Sequence, residues 1–173
     1  MSVKVALFSD NPDHHSQSLA KELVKSGFQV QVFETYEEMV KLAELGSQLQ
    51  VDVAVVHLGL LMSGKKGTIL RDDLVSLALP EETRRVFTGG HLVGDIKDEV
   101  IKARGDHYMR LDALWQERGI QVLKCGKTSK NERNSRGISF TTETGLSFGI
   151  ESHLKTEQNE QGDGDRGANY WKK

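Results

Sequence analysis

The chain has 173 residues, 37% of them hydrophobic and 28% charged, and 23 Lys and Arg against 25 Asp and Glu leave a formal net charge of -2. That length suits one core with a small appendage, and the near-balanced charge offers no basic field for nucleic acid or an anionic membrane. The single cysteine, Cys125, excludes an internal disulfide and a cysteine-based zinc site, which fits a reduced, cytoplasmic setting. The opening apolar run over residues 3–8 is too short for a signal peptide, and no run approaches the ~18 apolar residues of a membrane span.

Residues 3–8 read as a strand, and residues 16–26 as a helix closed by Gly27, with Leu19, Ala20, Leu23 and Val24 at helical spacing. Residues 28–33 form the second predicted strand. A helix over residues 36–46 follows, turning Met39, Val40, Leu42 and Ala43 inward. The third strand, residues 52–57, carries Val53-Ala54-Val55-Val56 and ends at His57. A continuous apolar run of this kind cannot alternate between core and water, so it belongs to a strand covered on both faces, as in a parallel sheet. Further on, the pattern predicts helices at 68–79, 96–104 and 112–117 and short strands at 85–88, 107–109 and 120–123. The alternation implies right-handed βαβ units: an α/β fold, a three-layer sandwich around a mainly parallel sheet.

Composition changes at Gly126. Residues 1–126 form the α/β domain, residues 127–136 read as a polar linker, and residues 137–155 as a β-hairpin turning through Thr141-Thr142-Glu143-Thr144-Gly145. A hairpin alone is marginal in water, so it must dock on the domain or on another chain. Residues 156–173 are rich in Gly, Asp, Glu, Gln and Asn, the composition of a disordered tail.

The order of these pieces resembles the receiver domain of bacterial response regulators, a flavodoxin-like fold. Phe8-Ser9-Asp10-Asn11-Pro12-Asp13 is similar to the end of a receiver's first strand, where two adjacent acidic residues hold magnesium. His57 falls at the place of the phosphoacceptor aspartate, Thr88 at the switch Thr or Ser, and Gly89 at the small residue after it. Gly105-Asp106-His107-Tyr108-Met109 resembles the segment leading to the signalling lysine, whose place is taken by Leu111.

The departures set the functional expectation. Of the acidic pair Asp10 remains, with Ser9 beside it; His57 replaces the aspartate, and Leu111 the lysine. Aspartyl-phosphate chemistry needs a carboxylate nucleophile, magnesium and a cation holding the product. Histidine also forms phosphoramidates, though it then needs an orienting neighbour and a donor enzyme. The resemblance therefore implies a pseudo-receiver without phosphoryl-transfer activity or a resident cofactor. Such a domain would act in signalling or transcriptional control by recognising another protein or a second copy of itself. Its expected interaction face includes Thr88, His91, Tyr108 and Leu111.

A different reading starts from the histidines. On the predicted topology His14, His15, His57 and His91 all reach the carboxyl edge of the sheet, the edge where ligands of open α/β sheets bind. With Asp10 they would offer a nitrogen and oxygen ligand set for Zn²⁺ or a similar ion, or a small-molecule site. Cys125-Gly126-Lys127-Thr128 lacks the upstream glycine of a phosphate loop and reads as a turn, and Ser63-Gly64-Lys65-Lys66-Gly67-Thr68 reads as a glycine-containing loop with two solvated lysines.

Overall fold

A computed structural model describes residues 1–9, 15–45, 49–57, 78–89, 100, 105–141 and 147–150. In chain order these are β1 (Lys4–Phe8), α1 (His15–Lys25), β2 (Gln29–Phe33), α2 (Tyr36–Glu44), β3 (Val53–His57), β4 (Arg84–Gly89), β5 (His107–Arg110), a 3-10 turn (Leu111–Ala113), α3 (Glu117–Lys124), α4 (Lys130–Arg136), β6 (Ile138–Thr141) and β7 (Ser147–Ile150). The strands form one sheet in the order β2-β1-β3-β4-β5-β6-β7. The pairings from β2 through β6 are parallel, and β7 lies antiparallel to β6.

The pleat sorts the core into two layers, because successive side chains on a strand face opposite sides. Ala6, Phe8, Ala54, Val56, Phe87, Tyr108 and Phe140 lie on one side with Met39 and Ala43 of α2. Val5, Leu7, Val53, Val55, Val86 and Met109 lie on the other, under Leu19 and Leu23 of α1 and Leu123 of α3. A fully buried leucine such as Leu19 contributes about 1.5–3 kcal/mol. The expected α-β-α sandwich around a parallel sheet is thus the fold of this chain.

The helix ends follow from local chemistry. After α1, Gly27 takes φ +91°, its N–H donates to the Val24 carbonyl, and the Phe28 N–H donates to the Leu23 carbonyl. This is a Schellman motif, with Phe28 and Leu23 both in the core beneath it. Thr35 opens α2 with a reciprocal capping box, its hydroxyl accepting from the Glu38 N–H while the Glu38 carboxylate accepts from the Thr35 N–H. Val24, expected inward, is 56% exposed, since the step from buried Leu23 turns the next side chain about 100° out of the core.

Three expectations for the second half are corrected. The segment expected as a strand at 120–123 lies within helix α3, and the helix expected at 112–117 is a 3-10 turn leading to it. Leu123 and Gly119 are buried and Ile120 and Val122 half-buried, a helical pattern that a short apolar run does not distinguish from a strand. Gly119 is required because α3 crosses the 3-10 turn closely: a Cβ there would stand 2.4 Å from the Ala113 carbonyl oxygen. The residues expected as a polar linker contain α4, capped by Ser129, whose hydroxyl accepts from the Glu132 N–H at 3.0 Å. The hairpin does form, pairing Ile138 with Ile150 and Phe140 with Phe148, and it docks through β6 along β5.

That docking is fixed by charge at the amino edge of the sheet. Arg133 of α4 grips Asp106 with Nε at 2.7 Å and Nη2 at 3.0 Å, one to each carboxylate oxygen, while its Nη1 donates to the Glu81 carbonyl at 2.7 Å. Asp106 is 5% exposed and also accepts the Arg85 N–H at 2.8 Å. Beside it, the Arg84 guanidinium donates to the carbonyls of Gly126 and Lys127, to the Glu132 carboxylate at 3.3 Å and to His107 Nε2 at 3.3 Å. The Cys125-Gly126-Lys127-Thr128 segment is a turn, as expected, though it follows a helix, and Gly126 turns the chain at φ +65°.

Candidate functional site

The carboxyl edge is assembled by parity and register. β3 is an interior strand, flanked by β1 and β4, and His57 is its last residue. In parallel register Phe8 pairs with Val56 and His57 with Thr88, so Ser9, one residue beyond Phe8, is drawn alongside His57. Thr88 pairs in turn with Met109, and Leu111 follows two residues later. Odd positions of β1 and β3 and even positions of β4 share the layer of Val5, Leu7, Val55 and Val86. Ser9, His57, Thr88 and Leu111 therefore emerge on one side of the sheet, the side covered by α1 and α3.

Their environments differ. Ser9 is 5% exposed, and its N–H donates to the Phe33 carbonyl at 3.0 Å. His57 is half-buried. Thr88 is fully buried, and among the described residues its hydroxyl has no hydrogen-bond partner. A buried hydroxyl left unsatisfied costs about 1–3 kcal/mol. Leu111 packs against the core of this layer and brings no charge to it. Ser9, His57 and Thr88 can donate and accept hydrogen bonds, the imidazole can titrate, and Leu111 can do neither; none of the four is a carboxylate or a permanent cation.

Asp10, His14 and His91, the remaining members of the expected histidine and aspartate set, lie outside the described residues, as do the Ser63–Thr68 segment and residues 156–173. His15 is the first residue of α1. Among the described residues no group of three or more His, Cys, Asp or Glu is placed to hold a metal ion, and no helix is long and apolar enough to cross a membrane.

Tyr108, expected on an interaction face beside β4 and β5, is fully buried, its ring 6.1 Å from that of Phe140. The physical reason is β6: it pairs along β5 and sets Phe140 beside Tyr108, while Thr88 is buried independently, on the interior strand β4. Sequence reasoning passed over the opposite, amino edge. Its available signal was Arg84-Arg85 directly ahead of an apolar strand, two cations that the fold must satisfy if the strand is buried.

The fold is shared with solved receiver domains. The signal receiver domain of the putative response regulator NarL from Mycobacterium tuberculosis is similar with a TM-score of 0.52 at 20% identity, over 72% of this chain and 95% of that one. The CheY-like receiver domain from Methylobacillus flagellatus aligns at 0.51 and 18% identity, over 71% and 99%. A response regulator from Thermotoga maritima aligns at 0.51 and 17%, over 72% and 99%. At such identities the likeness establishes the fold and nothing finer. No family model and no curated protein matches the sequence.

Proposed function

We propose that this chain is a receiver-type regulatory module that works by recognising another protein or a second copy of itself, and that it does not use aspartyl-phosphate transfer. The observation that carries this reading is the end of β3: an imidazole in register with a buried switch-type threonine, beside Ser9 and in line with Leu111. A phosphoryl group placed there would meet no carboxylate nucleophile at position 57 and no lysine at position 111. The switch is then set by binding or by abundance, without phosphoryl chemistry.

Recognition through the β5 edge is disfavoured by the cover that β6 provides, so the interacting surface is sought elsewhere on the domain. The test is intact mass after incubation with a small phosphodonor and Mg²⁺. The expected spectrum is unchanged; an adduct of about 80 Da, stable at neutral pH, would overturn the proposal. Metal analysis of protein purified without a histidine tag separates the alternative: stoichiometric zinc would move the function to the histidine-bearing carboxyl edge.

A further inference from the structure

We propose that His107 is a pH-sensitive latch that holds the α4–β6–β7 extension against the rest of the sheet. Arginine has five N–H donors and no acceptor, so the 3.3 Å contact from Arg84 Nη1 obliges His107 Nε2 to accept. That fixes the neutral imidazole with its proton on Nδ1. A second proton would have to enter at Nε2, converting an acceptor into a donor that faces a donor and placing two cations at hydrogen-bond distance.

Position gives this change its consequence. His107 opens β5 in register with Ser139 of β6, and the same Arg84 guanidinium that contacts it also holds the α4 carboxylate of Glu132. The Arg84 side chain is 6% exposed and His107 is half-buried, so solvent screens the added charge only in part. The charged groups around His107 include Arg84 from β4 and, through Arg84, Glu132 from α4, with Asp106 preceding it in the chain and Arg133 bound to Asp106; the β6 register partner, Ser139, is neutral. Two guanidinium groups face two carboxylates in this set. A protonated His107 sets a positive charge against the Arg84 guanidinium 3.3 Å away, a repulsion relieved when Arg84 and the extension it anchors shift away. Glu132 opposes this by attracting the imidazolium, but its carboxylate already accepts from Arg84.

The sign follows from linkage. If the attached state requires neutral His107 and the detached state does not, protons favour detachment, and the latch is firm above the ordinary histidine range of about 6.5 and weakens below it. The experiment is amide hydrogen exchange on the full chain between about pH 7.5 and about pH 5.5. Protection at residues 138–141 is read as a ratio to residues 4–8, which cancels the intrinsic pH dependence of exchange. The expected ratio falls about tenfold in the wild type, the effect of a one-unit difference in titration, and stays constant in His107→Gln, whose amide oxygen accepts but never charges. A constant wild-type ratio, or an equal fall in both proteins, would overturn the proposal. If the variant does not fold, the wild-type His107 ring titration decides: a midpoint below about 6.5 supports the latch, and one at or above it overturns it.

Discussion

The two edges of this sheet are built on opposite principles. At the amino edge Arg84, Arg133, Asp106 and Glu132 are held in charged pairs, with backbone carbonyls and His107 taking further guanidinium donors. At the carboxyl edge Ser9, His57, Thr88 and Leu111 share one side of the sheet, and the Thr88 hydroxyl is left without a partner among the described residues. Charge held by fixed partners is the mark of a structural joint. A polar group buried without one, at the edge where such sheets bind ligands, is what the proposed loss of phosphoryl transfer would leave behind.

The comparison breaks most readily at Arg133. Arg133→Ala leaves Asp106 buried and unpaired, and chemical denaturation is expected to show a loss of about 3–5 kcal/mol. Arg133→Lys keeps the charge but not the two-point grip, so it should recover part of that loss. A change under ~1 kcal/mol for the alanine variant would mean that the amino edge is not the joint described.

A smaller effect is expected at Gly119, where an added Cβ would meet the backbone of Ala113 and Leu114. Gly119→Ala should destabilise by about 1–3 kcal/mol, read as a lowered denaturation midpoint with an unchanged slope. An unchanged midpoint would show that α3 can shift away from the 3-10 turn at no cost.

The carboxyl edge is sharpened by the smallest change. Thr88→Val removes a buried hydroxyl that bonds to nothing among the described residues while keeping the branched shape, so stability should be unchanged or rise by about 1 kcal/mol. A loss of more than ~1 kcal/mol would show that the hydroxyl has a partner in solution, and that this edge, like the other, is held by fixed partners.

How much of this was legible in the chain follows the same division. Val53-Ala54-Val55-Val56-His57 announced a doubly covered strand because its apolar residues are consecutive and mostly β-branched valines, and from its position the carboxyl edge could be assembled. Residues 120–123 misled because three apolar residues around Gln121 suit a short strand or a helix equally, and the arbiter was Gly119, which packs closely on the 3-10 turn just before α3, a contact no apolar pattern encodes. Residues 130–136 misled because they bury almost nothing apolar. Their helix rests on the Ser129 cap and on Arg133 reaching Asp106 across 27 positions, a pairing invisible to any local pattern. Tyr108 was assigned to a surface for a related reason: its burial depends on β6, whose place beside β5 is a tertiary fact.

The central claim concerns His57, and site-resolved spectroscopy reaches it most directly. Backbone amide spectra would be recorded with Mg²⁺ and a small phosphodonor, and again with Mg²⁺ and the donor's hydrolysis products. The account predicts superimposable signals at Ser9, His57, Thr88 and Leu111 in the two samples. Donor-specific shifts centred on His57 and Thr88 would show that the end of β3 still takes a phosphoryl group, and would contradict it.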